Sequence, residues 1–434
     1  MVEIKAFKGI RYSKEKIPNL DDVMSPPYDI IPPRLQEQLY EKHENNFVKI
    51  IFGKQFEDDS KDNNRYTRAQ QLFSEWQKQA ILTQDNEPAL YAYKITYEVN
   101  GIVRTMNGFF CRLKLDPDYK LVKAHERTLS KAKADRLEMM RACQANLEPI
   151  QLLYIDEADL VRKTIDDHLG EPVIDVVGYD GFRHVLYKIT DPSVIETVSS
   201  HLDDEILFIA DGHHRYQTAI NYAEEMKEKT GNSDPDADFN YRMVILANMF
   251  DEGLSIFPTH RFIKKDVDLD SFLLQLSEDF SVEKHSCSNP GNYASCGDEI
   301  MKTIESDDNH CFALYKDGEF YVLTLKDESM MDELAGDHSE TWRTLDVSIL
   351  HRAILEKYLG INEKNLQDHI KYTRENDEAI EFVDDGTYDF SILMNATKIE
   401  ELKMIADGGE HMPQKSTYFL PKMLSGLVMY KMDI

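Results

Sequence analysis

The sequence predicts an α+β fold with mixed, largely antiparallel sheets and interleaved helices. Two observations carry that expectation. The first is turn chemistry: Asn100-Gly101, Asp180-Gly181, Asp317-Gly318 and Asp385-Gly386 each sit between runs rich in Tyr, Phe, Val, Ile and Leu, which is the pattern of a tight β-hairpin. The second is that segments with apolar residues at helical spacing lie between those runs.

Taken in order, Ser25-Pro26-Pro27-Tyr28-Asp29 is followed by Pro32 and Pro33, and this density of proline predicts an extended path without helix. Residues 65–82 place Ala69, Leu72, Phe73, Trp76 and Ala80 at helical spacing. Residues 90–99 alternate as a strand, Asn100-Gly101 turns, and 102–113 returns. Helices are expected over 126–144, 216–229 and 346–359, the last between an Asp346 cap and Gly360. Residues 285–297, rich in Ser, Asn, Gly and Cys, mark a junction. The expected division is a region over 1–265 and a second α+β region over 266–434.

At roughly 150 residues per domain, 434 residues suit two or three domains. The net charge is −29, from 50 Lys+Arg against 79 Asp+Glu. Such a surface repels nucleic-acid phosphates and anionic membrane, so neither is an expected partner. Residues 1–16 are charged throughout with no apolar signal core, no run is long enough to span a bilayer, and the five cysteines form no CxxC pair. Those features predict a soluble cytoplasmic protein with reduced thiols. They leave a homo-oligomer open.

Against that acidic background the cationic clusters stand out. Asp211-Gly212-His213-His214-Arg215 follows an apolar run and precedes a helix-like one. A strand, a short polar loop and a helix N-terminus together form an anion site, with unpaired N–H groups and the helix dipole aimed at the ligand. Gly212 permits close backbone approach, Arg215 can fork two phosphate oxygens, and His213 and His214 titrate near neutrality. An Asp-Gly alone would be a simple helix cap; two histidines and an arginine directly after it favour the anion site. Adjacent histidines diverge, and no further ligand stands at metal spacing, so a zinc site is not expected.

Residues 120–141 carry seven Lys/Arg against Glu126, Asp135 and Glu138. Lys123, Arg127 and Lys131 would form one stripe if the helix began that early, with His125, Glu126, Arg127 and Thr128 near its start. Pro258-Thr259-His260-Arg261 and the segment 411–422, with Lys415, Ser416, Thr417 and Lys422, complete the set. Lys415-Ser416-Thr417 lacks the glycines of a phosphate-binding P-loop. These short clusters could gather round one polyanion.

Pro26-Pro27-Tyr28-Asp29, His125-Glu126-Arg127-Thr128, Asp211 to Tyr216, Pro258 to Arg261 and Met412 to Thr417 together resemble the landmarks of a prokaryotic domain-of-unknown-function family, number 1015, nearly end to end. The Asp-Gly-His-His-Arg segment is also similar to that of the free serine kinases of the ParB/sulfiredoxin-like superfamily. That resemblance implies a ParB-like core and a loop that holds nucleotide phosphates. It implies phosphoryl transfer between a nucleotide, ATP or ADP, and free serine, including the direction from phosphoserine to serine, with Mg²⁺ as counter-cation. On this reading Gly212, His213, His214 and Arg215 hold phosphates, and Lys123, Arg127, Thr128, Thr259, His260, Arg261, Lys415 and Ser416 add contacts. Glu126 is the first candidate base and Asp29 the second; Tyr28 and Asp29 position substrate, and Asp211 assists the metal or a histidine. The alternatives are a nucleotide-independent phosphatase using His213 or His214, and a nucleotide-binding module without catalysis.

Overall fold

The structure, a computed structural model, describes residues 1–99, 101–125, 130–289, 291–306, 309–413 and 415–434, with backbone alone at 130–132. The fold is mixed α+β with mostly antiparallel sheets. Its described residues divide into two compact units, one of 1–124, 130–255 and 421–434, the other of His125 and 256–420.

The first unit is built on a nine-stranded sheet. Its strands are β1 (Ile4–Lys5), β2 (Leu90–Val99), β3 (Ile102–Lys114), β4 (Val122–Lys123), β5 (Ile150–Tyr154), β6 (Ile174–Val177), β7 (Arg183–Ile189), β8 (Leu207–Asp211) and β9 (Tyr241–Asn248). They run in the order β4-β8-β5-β9-β3-β2-β7-β6, with β1 paired to β3. Among the described residues only β4/β8 and β5/β9 are parallel. Apolar clusters cover both faces, so Leu90 to Tyr93 are buried without a break: Tyr91 and Tyr93 belong to one cluster, Leu90 and Ala92 to the other. Three helices of this unit pack in a row. Arg65–Lys78 starts at an Asn64/Thr67 capping box. Ser130–Cys143 packs against it and against His213–Thr230.

The second unit carries an antiparallel sheet of β10 (His260–Ile263), β11 (Phe280–His285), β12 (Cys311–Lys316), β13 (Glu319–Leu325), β14 (Ile370–Thr373) and β15 (Phe390–Met394), in the order β11-β13-β12-β15-β10-β14. Tyr293–Glu305 and Glu378–Asp384 close its apolar cluster.

Three of the four expected hairpins form: β2/β3, β6/β7 and β12/β13. Asp385-Gly386 does not make one. It ends the Glu378–Asp384 helix, with Gly386 at φ +79°, before β15; a left-handed glycine serves a helix C-terminus as well as a hairpin. The proline-rich segment is not wholly extended: Tyr28–Ile30 forms a 3₁₀ turn, and Pro33 opens the helix Pro33–Lys42, where its missing N–H costs nothing. The 346–359 segment is helical but widens to π-helix over Leu350–Glu356. The expectation of reduced cysteines fails for two of them. Cys287 and Cys296 are disulfide-bonded, because the loop returns Cys287 to the first turn of the Tyr293–Glu305 helix; Cys111, Cys143 and Cys311 are buried and not disulfide-bonded. Among the described residues no helix is long and apolar enough to cross a membrane.

Candidate functional site

The Asp211–Arg215 segment is placed by the first unit's sheet. Leu207 to Ala210 are fully buried, which fixes β8 in the interior. The register between β8 and β5 shifts between Ile209 and Asp211, and this bulge turns the end of the strand out of the ladder. Gly212 follows at φ +97°, a conformation that L side chains rarely adopt. The helix begins at once: Tyr216 N donates to Gly212 O at 2.9 Å. His213 and Arg215 are buried and His214 half-buried.

Asp211 is the hub of the charges here. Its carboxylate accepts from Arg215 Nη2 and from Lys422 Nζ, the latter at 2.7 Å. Arg215 Nη1 donates to the Pro149 carbonyl. Burial opposes charge on Arg215, but Asp211, Glu148 and Asp29 outweigh it and hold the guanidinium above its ordinary range.

Behind this loop lies a second layer of charge. Glu148, 4% exposed, accepts from Tyr28 N at 3.1 Å, from Ser425 Oγ at 3.1 Å and from Arg136 Nη1 at 3.3 Å. Arg136 also donates to Asp135 and stacks 3.8 Å from the centre of the Tyr28 ring. Burial and, to a lesser degree, Asp29 push the Tyr28 hydroxyl up to about 12. Arg242, on β9, donates to the Glu148 carbonyl at 2.8 Å. Small cavities flank Arg215: one of about 10 Å³ touching Asp211 and Lys422, and one of about 20 Å³ touching Arg136 and Arg242. Each suits a water-sized occupant.

The expected site residues fall into the two units. Asp211, Gly212, His213, His214 and Arg215 are joined by Tyr28 and Asp29, the latter exposed yet close enough to act on Tyr28 and Arg215. Lys123 is on β4, paired with Phe208, so it does not begin the helical stripe expected of it; among the described residues the helix covers Ser130–Cys143. Glu126, Arg127 and Thr128 lie outside the described residues.

The second unit gathers the other motifs. His125 is fully buried, its Nε2 3.1 Å from Thr417 Oγ1, and its carbonyl accepts from Met412 N. Arg261, also buried, donates to the carbonyls of Thr259 and Lys415. Thr397 Oγ1 donates to the Ser416 carbonyl at 2.9 Å, and Lys415 is exposed. His260 spans the sheet, with Met394 N donating to Nδ1 and Nε2 donating to Asn376 Oδ1 at 2.8 Å. Burial lowers its pKa to about 4, so it is neutral near pH 7. A cleft of about 490 Å³ in this unit is lined by His338, Trp342, His351, Arg352 and His411, among others.

The sequence clusters contain neither Glu148 nor Arg242, and they contain Arg136 and Lys422 only as members of the 120–141 and 411–422 segments. Two of these left a signal in the sequence: Arg242 is a lone cation in the otherwise apolar run of β9, and Glu148 stands just before the apolar run of β5. A charge in a fully buried strand requires a partner or a ligand.

The chain belongs to the family described as Protein of unknown function (DUF1015), whose model matches residues 4–348. No curated protein matches it. Among solved structures it is similar to a variant of free serine kinase in complex with ADP, at 14% identity and TM-score 0.36, covering 72% of this chain and 87% of that one. It is also similar to a conserved hypothetical protein from Pyrococcus furiosus, at 14% identity and TM-score 0.34 over 72% and 90% of the two chains. A third similarity is to C-terminally truncated SbnI from Staphylococcus aureus, at 11% identity and TM-score 0.34 over 72% and 85%. The nucleotide is a ligand of the kinase it was found with.

Proposed function

We propose that this protein is a phosphotransferase acting on free serine or phosphoserine with a nucleotide, and that the phosphates are held at the 211–215 loop of a ParB-like first unit. The observation that carries this reading is the convergence of Arg215 and Lys422 on one carboxylate, Asp211, at the start of a helix. Two cations and a helix N-terminus at one point favour an anion. In this structure Asp211 supplies that anion. A phosphate bound there takes over Arg215 and Lys422, and the Gly212 turn lets backbone N–H groups approach its oxygens.

Phosphoryl transfer asks the protein mainly for charge and position. In the direction from phosphoserine, the bond between phosphorus and the serine oxygen breaks. A bond to a terminal oxygen of the nucleoside diphosphate forms, and serine oxygen takes a proton. His213 and His214 are the groups on this loop that can give or take that proton. Asp29 is the candidate carboxylate of the first unit, and Glu126 is retained as the alternative base. Mg²⁺ held chiefly by phosphates needs one or two protein carboxylates. Asp211 fits that role as a single ligand, while no cluster of three metal-ligating side chains occurs among the described residues.

The test is phosphorus NMR of the pure protein with phosphoserine and Mg²⁺, with and without ADP. Appearance of ATP together with loss of phosphoserine is expected. Release of inorganic phosphate without nucleotide would make the protein a phosphatase instead. An unchanged phosphoserine signal in every tube would overturn the substrate assignment.

A further inference from the structure

Arg242 is 4% exposed, and no carboxylate lies within ion-pair distance of it among the described residues. Its guanidinium donates to the Glu148 carbonyl and contacts the Met140 sulfur, and its Nε is buried with no hydrogen-bond partner. The neighbouring cations are not compensated on its behalf. Arg136 uses Asp135 and Glu148, and Arg215 uses Asp211. The cavity these three arginines share therefore has three positive charges in its wall and one carboxylate, Glu148. Burial, then Arg215 and Arg136, lower the Arg242 pKa to about 9, which leaves it charged at neutral pH. A buried charge without a counter-ion is strongly destabilising.

We propose that this cavity binds one small inorganic anion of halide size, chloride under ordinary conditions, as the counter-ion of Arg242. Three features select that class. The space is about 20 Å³, suited to a water-sized body. Much of the remaining wall is apolar: Met139, Met140, Ala145 and Leu147. Phosphate or sulfate presents four oxygens in fixed directions, and those apolar sides offer them no donor; a spherical ion imposes no such demand. A cation is excluded by the arginines. The site is independent of the phosphotransferase reading, because Arg242 has no carboxylate of its own within ion-pair distance among the described residues and would require a counter-ion whatever the loop binds.

The experiment compares thermal unfolding in sodium chloride, sodium gluconate and sodium phosphate at equal ionic strength, for the parent and for Arg242→Met. Chloride at about ten times its dissociation constant should raise the parent Tm by about 2–4 °C over gluconate. The shift should vanish in Arg242→Met. Bromide soaked into crystals of the parent should give an anomalous peak beside Arg242, a readout that does not depend on the variant folding. Stabilisation by phosphate without any by chloride would overturn the proposal. Equal melting in all three salts with no bromide peak would overturn it as well. Turnover of phosphoserine bears on neither outcome.

Discussion

Lys422 Nζ sits 2.7 Å from Asp211 Oδ1, across 211 residues of chain, and Arg215 reaches the other oxygen of the same carboxylate from one helical turn away. The C-terminal segment thus supplies one of the two cations of the loop. Lys422→Met should lower stability by about 1–2 kcal/mol, since Arg215 still pairs with Asp211 and only one charged hydrogen bond is lost. It should weaken phosphoserine binding at least about tenfold. Urea unfolding and calorimetric titration read the two effects. Unchanged affinity would separate Lys422 from the ligand.

Gly212→Ala tests the turn itself. At φ +97° an added Cβ is strained, and it would stand 3.0 Å from Arg215 Nε. The expected cost is about 1–2 kcal/mol. The displaced guanidinium should also lose phosphate affinity, so the binding defect should exceed that of a stability-matched variant elsewhere in the sheet.

Glu148 holds Tyr28 N, Ser425 and Arg136 at once. Glu148→Gln keeps the shape and removes the charge. Breaking a buried pair in this way should cost about 3 kcal/mol or more, measured as a drop in the denaturant midpoint at constant slope. A loss under about 1 kcal/mol would show that Arg136 relies on Asp135 instead.

His260 and His351 predict an acid-side loss of stability in the second unit. Burial lowers their pKa values to about 4 and about 3, with Arg261 adding to the effect on both. The unfolded chain binds a proton near pH 6.5, while the folded one does not until pH 4 or 3. Stability is therefore complete above pH 6.5 and falls as pH drops from 6.5 toward 4, by about 1.4 kcal/mol per pH unit for each histidine. His260→Gln should reduce that slope by one proton. An identical slope would mean that His260 is already protonated in the folded protein.

Local chemistry was legible along the chain. Asp317-Gly318 takes φ +52° and +80° and closes β12 onto β13 as its turn type requires. The run before Asp211 forms a buried strand, and Gly212 turns it into a helix, because both follow from residues adjacent in sequence. Asp385-Gly386 departs from the expected hairpin because the left-handed glycine is local, while whether a strand or a helix precedes it depends on packing against the second unit's sheet. The Cys287–Cys296 bond likewise depends on how a loop returns to a helix.

Periodicity, turn residues and short motifs act over a few residues, so the α+β class, the 211–215 turn and the family landmarks can be read along the chain. Which charges meet depends on the folded chain. Lys422 joins Asp211, Glu148 joins Arg136, and Arg242 has no carboxylate within ion-pair distance among the described residues, because neighbours in the large sheet come from distant parts of the chain. An ion pair between residues far apart in sequence leaves no periodic trace, so its partners become visible only when the strands are in register.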